Sequence, residues 1–154
     1  MFSNALVKLA SCALCSLFLA PAYCASTGSL AGTWKEVDDE QTTSVLRFQQ
    51  AGAEWTGKYI QVSTQQARFG FLVGEIIIRG RLHGTRFTGQ VLLKNIDANP
   101  ACPEVGLGWV PVKMDLVSDG RRLHGSFRGT LVDETNECRV TGHDWQPYKL
   151  QLVQ

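Results

Sequence analysis

His83-Gly84-Thr85-Arg86-Phe87-Thr88-Gly89-Gln90-Val91 sets a turn glycine, a large apolar residue three positions later, a second glycine two beyond that, and then a bulky apolar residue. The phrase recurs as Ala51-Gly52-Ala53-Glu54-Trp55-Thr56-Gly57-Lys58-Tyr59 and as Asp119-Gly120-Arg121-Arg122-Leu123-His124-Gly125-Ser126-Phe127. Each copy follows an alternating run of apolar and polar residues, which is the pattern of a β-hairpin. Three hairpins in series predict a curved antiparallel sheet.

The alternation extends outward from these turns. Leu46 and Phe48 share one face, with Arg47 and Gln49 on the other. Ile76, Ile78, Gly80 and Leu82 oppose Arg79, Arg81 and His83; Phe87, Gly89, Val91 and Leu93 oppose Arg86, Thr88 and Gln90. Val110, Val112, Met114 and Leu116 then oppose Lys113 and Asp115, and Leu123, Gly125, Phe127, Gly129 and Leu131 oppose Arg122, His124, Ser126 and Arg128. A first strand is expected over Ala31 to Val37, a polar loop over residues 38–41, and a last strand carrying Tyr148, Leu150 and Leu152. A period of two means one buried and one wet face. The best helical candidate is short, Ser63 to Arg68.

Gly57, Gly80, Gly89, Gly125 and Gly129 fall on the apolar face, where they permit sharp coiling and close approach of strands. About eight such strands can close into an up-and-down antiparallel β-barrel, which removes exposed edges. Two packed sheets, a β-sandwich, are the alternative.

Of the 154 residues, 1–24 read as a cleaved export signal, leaving 25–154 as a single domain. Lys8 precedes the apolar run Leu9 to Ala20, which is too short to span a bilayer, and Pro21 ends it. Cleavage is expected before Ala25, with a cut after Ala22 as the alternative that would retain Cys24. The formal charge of +1 falls to zero with loss of Lys8, which argues against broad nucleic-acid binding. Three of the five cysteines leave with or beside the signal, so Cys102 and Cys138 are expected to form one disulfide in a secreted or periplasmic setting.

Gly32-Thr33-Trp34 followed by a meander resembles the calycin group of lipocalins, fatty-acid-binding proteins and avidins. In lipocalins this tryptophan crosses the closed end of the barrel beneath a basic residue from the last strand, a place only Lys149 could fill here. Trp55-Thr56-Gly57-Lys58-Tyr59, Leu107-Gly108-Trp109 and Gly142-His143-Asp144 resemble avidin landmarks in order. That resemblance puts Tyr59 and Asp144 at biotin-bonding positions, but Glu36 stands where an asparagine is expected, and Leu123 and Lys113 where pocket tryptophans are expected.

Catalytic signatures are sparse. His83, His124 and His143 lack metal-ligand spacing, and no Gly-x-Ser-x-Gly elbow occurs. No cofactor or metal is implied. Arg47, Lys58, Arg79, Arg81, Arg86, Lys113, Arg122, Arg128 and Lys149 line the polar face against Glu54 and Asp115, while most acids lie in loops. The expected function is non-enzymatic binding of a small apolar ligand at the open end of the barrel, with Trp55, Tyr59, Trp109, Phe127 and Asp144 as ligand-binding residues. The rival is a protein-binding module, an inhibitor or immunity-type factor, that uses the loop 99–109 pinned by Cys102.

Overall fold

The computed structural model describes residues 28–37, 43–94, 102, 105–117, 119–133, 135 and 137–153. The expected export signal with its expected cut site, the expected polar loop 38–41 and positions 99–101, 103 and 104 of the expected contact loop lie outside them.

Eight strands form: β1 (Gly32–Glu36), β2 (Val45–Ala51), β3 (Glu54–Gln61), β4 (Ile76–His83), β5 (Arg86–Leu93), β6 (Gly108–Val117), β7 (Arg122–Asp133) and β8 (Arg139–Val153). Among the described residues one short helix, α1 (Thr64–Arg68), joins β3 to β4. Each strand pairs antiparallel with the next, and β8 returns to β1 through Trp34 opposite Leu152 and Glu36 opposite Leu150. The sheet is a closed barrel. This excludes the sandwich.

The glycine turns are where the sequence puts them. Gly52 and Gly84 both have φ of 61°, a left-handed conformation that lets two-residue loops reverse the chain without a Cβ clash. Further along, Gly80 lies opposite Gly89 on the interior face. A Cβ on Gly89 would lie 2.0 Å from the Arg79 carbonyl oxygen, so these strands approach more closely than any side chain allows.

One phase differs from the expected alternation. Ile76 is 40% exposed, whereas Ile77 and Ile78 are both buried. The β3–β4 register slips between Gly57 and Lys58, where Gly57 faces Ile78 but Lys58 faces Ile76. A bulge of this kind turns the chain by one residue, and so puts Ile77 inside and Ile76 outside.

Alternating strand directions put the connections after β1, β3, β5 and β7 at one end, the mouth. The tight turns and the segment before β1 lie at the other end, the base. Here Leu30, Trp34, Leu46, Phe87, Met114, Leu123 and Leu150 are fully buried or nearly so. The Trp34 indole N–H donates to the Leu30 carbonyl at 2.8 Å, satisfying its only polar group inside the core. Trp34 meets Phe48, and Phe48 meets Phe87, edge to face at 6.1 and 6.2 Å. The base is packed solid by this aromatic chain.

The mouth is built differently. A Cys102–Cys138 disulfide ties the β5–β6 connection to the β7–β8 turn. β6 pairs with β7 only as far as Phe127, and β1 reaches β8 only from Leu150 onward. Beyond those limits, Arg128 to Asp133 and Arg139 to Trp145 pair, among the described residues, only with each other. They form a two-stranded ribbon with Cys138 at its tip.

Candidate functional site

Between the packed base and the mouth lies a cavity of about 600 Å³. Its apolar lining includes Phe71, Ile77, Val91, Leu93, Val105 and Phe127; its polar lining includes Glu36, Tyr59, Gln66, Lys94, Gln146 and Tyr148.

Glu36 enters the interior because it follows Trp34 by two positions on β1, on the same face. It is 8% exposed. A buried carboxylate is costly unless hydrogen-bonded. Here the Tyr59 hydroxyl from β3 and the Tyr148 hydroxyl from β8 both donate to Glu36 Oε1 at 2.8 Å. Burial first, and then the Glu36 charge, raise both phenols well above the usual tyrosine value. Both therefore stay protonated and act as donors throughout the physiological range.

The connection after β3 supplies one wall. Ser63 caps α1 by accepting the Gln66 amide at 3.1 Å, and its own amide donates to the buried Ser44 hydroxyl at 3.0 Å. This anchoring brings Gln66 and Phe71 to the cavity. The Phe71 ring meets Tyr59 edge to face at 5.5 Å. Lys94, just after β5, pairs with Glu75, donates to the Gly70 carbonyl at 3.0 Å and lies 5.3 Å from the centre of the Phe71 ring. Gln66 Oε1 is buried without a hydrogen-bond partner among the described residues.

Tyr59 and Phe127, two of the five expected ligand-binding residues, line the cavity. The other three named residues lie elsewhere. Trp55 is buried lower in β3, opposite Gly80, where it belongs to the packed core. Trp109 precedes the inward-facing Val110 and so falls on the outer wall, where the Arg79 guanidinium stacks 4.2 Å above its ring. Asp144 is exposed on the ribbon opposite Gly129, and its Oδ1 accepts the Trp145 amide at 2.7 Å. The structure therefore does not bring Asp144 to the cavity that Tyr59 lines.

Glu36, Tyr148, Gln66, Phe71 and Lys94 complete the site. Alternation from Trp34 places Glu36 inside, and alternation from Leu150 does the same for Tyr148. Gln66, Phe71 and Lys94 arrive on connections, where no strand period reports their direction.

The basic residues of the strands face outward. Arg86 meets Asp115 at 3.0 Å, Arg79 donates to Gln90, and Lys113 lies over Trp145. A second recess of about 510 Å³ on this wall includes Arg121, Arg122, His124 and Lys149. Among the described residues, no three His, Cys, Asp or Glu side chains gather as a metal site would require. No described helix is long and apolar enough to cross a membrane. Comparison with protein-family models, with curated proteins and with solved structures gave no match.

Proposed function

We propose that the protein is an exported, calycin-like binding protein that carries a small, largely apolar ligand in the open end of its barrel, without catalysing a reaction on it. The observation that carries this reading is the cavity. Its volume of about 600 Å³ falls in the range of ligand sites, and its wall combines apolar side chains with a nearly equal share of convergent polar groups. The tight packing around Trp34 gives it a floor, so a ligand has one way in. Trp34 answers to the lipocalin arrangement in its place at the closed end; its cover is the Leu30 carbonyl, while Lys149 stays on the exposed face of β8. The disulfide fits an oxidising compartment, secreted or periplasmic.

Titration with the neutral fluorophore N-phenyl-1-naphthylamine tests this. Saturable, equimolar enhancement is expected, with loss in Gly129→Phe, whose new ring would enter the cavity beside the Gln146 amide. A wild-type protein that gives no enhancement would remove the carrier reading. A partner-binding role for the loop 99–109 is favoured by Leu107, which is 41% exposed close to the Cys102 anchor. That role predicts loss of partner capture when residues 103–108 are shortened.

A further inference from the structure

We infer that the outer wall formed by β7, β8, β1, β2 and β3 binds an anionic polysaccharide chain laid across the strands. This wall is separate from the cavity, so such a partner goes beyond the carrier reading.

Arg47 on β2 lies directly opposite Lys58 on β3. Lys35 on β1 is the diagonal neighbour of Arg47, because Thr33 pairs with Arg47. All three take the outward face, alternating with the buried Trp34, Leu46, Phe48, Gly57 and Tyr59. Opposed side chains in an antiparallel pair stand about 5 Å apart at Cβ, and like charges there destabilise the sheet. The ion pairs of Arg86 and Lys94 lie elsewhere, and Lys35, Arg47 and Lys58 have no side-chain partner among the described residues. A local rule broken without internal compensation is what a functional surface leads one to expect.

The same charge continues round the wall. Lys35 faces Gln151 on β8, Gln151 faces Arg122 on β7, and Lys149 faces His124. Arg121, Arg122, His124 and Lys149 line the outer recess of about 510 Å³, with Asp119 from the turn below as its one acid among the described residues. Arg122 already has an interaction of its own and counts here for its charge alone. Between Glu54 and Asp119 at the base and Asp133 and Asp144 on the ribbon, the described outward positions of these five strands carry no carboxylate. The opposite wall differs, because Arg79, Arg86 and Lys113 are occupied by Gln90, Asp115 and Trp145.

Five strands spaced by about 4.8 Å set these cations along an arc of about 19 Å. A single phosphate or sulfate ion can touch only a few of them. A flexible chain carrying repeated sulfates or carboxylates can follow the whole arc. A bilayer is flat and meets a convex wall along a narrow line. Single-stranded nucleic acid is held by aromatic rings on which bases stack, and the described outward positions below Trp145 hold no Phe, Tyr or Trp.

Calorimetric titration of the intact oxidised protein with a heparin oligosaccharide tests this. Saturable binding is expected, weakening by about tenfold or more between about 50 and 200 mM salt as counterions cease to be released. Arg47→Glu should lower the affinity at least about tenfold. Its new carboxylate faces Lys58, so the variant should unfold in urea no earlier than the wild type. Arg81→Glu makes the same change in net charge on the far wall, opposite Thr88, and should leave the affinity within about threefold. Equal losses in Arg47→Glu and Arg81→Glu would overturn the assignment to this wall. Absence of heparin binding by the folded wild type would overturn the proposal outright, and DNA bound as tightly as heparin would overturn the polysaccharide as partner. None of these outcomes bears on fluorophore binding in the cavity.

Discussion

Tyr59 and Tyr148 come from strands on either side of β1–β2, yet their hydroxyls converge on one oxygen of Glu36 at 2.8 Å. Hydrogen bonds to a charged acceptor contribute more than neutral ones, so Tyr59→Phe and Tyr148→Phe should each lower stability by about 1.5–3 kcal/mol. Because both bonds end on one atom, the double variant should lose less or more than the sum, and urea denaturation of the cycle measures that coupling. The pH response has a definite sign. Burial and the Glu36 charge raise both phenols, so their contribution is complete below the unfolded tyrosine value of about 10 and falls as pH rises beyond it. Denaturation midpoints should therefore drop above pH 10 in the wild type and drop less in Tyr148→Phe. Period-two alternation makes the inward direction of Glu36 and Tyr148 legible, but not their meeting, which needs the β8–β1 closure. Trp109 was legible in the same way: a residue one before Val110 must point outward, and resemblance to a tryptophan-lined pocket obscured that.

At the scale of strands, the hairpins could be read because each turn pairs a φ-permissive glycine with a clear change of phase. Ile76-Ile77-Ile78 could not. Three equal apolar residues fit either register, and only the bulge opposite Gly57 and Lys58 decides which one is wet. The Gly80–Gly89 crossing makes the firmest prediction at this scale. Gly89→Ala would press a methyl group into the Arg79 carbonyl, and overpacking of that kind costs about 1–3 kcal/mol or more. A lower urea midpoint is expected, together with weaker ring contacts around Phe87 in the aromatic NMR spectrum. An alanine at Gly52 meets no atom within 4 Å and is opposed only by its positive φ, so it should destabilise less.

For the molecule as a whole, alternation foretold curvature, and inward glycines made closure the better alternative to two sheets. Whether the interior was hollow could not be read from strand periodicity. Trp34, Phe48 and Phe87 fill the base while Phe127 and Tyr148 leave the upper half open, and that contrast depends on how strands and connections pack around them. The Cys102–Cys138 cross-link spans connections separated by 36 residues, a loop for which chain entropy gives about 3–4 kcal/mol. Cys102→Ser with Cys138→Ser should lower the unfolding free energy measured in urea by that amount, and adding dithiothreitol to the wild type should reproduce the change.

The ribbon from Arg128 to Trp145 has a neighbour on only one side of each strand among the described residues, unlike the walls below it. Two strands alone are marginal in water. Amide hydrogen exchange should consequently run on two clocks: ribbon amides exchange through local opening, whereas those near Trp34 wait for global unfolding. Cutting the sulfur tether should quicken the first clock far more than loss of overall stability accounts for, making the barrel's upper lip a region whose motion is set by redox state.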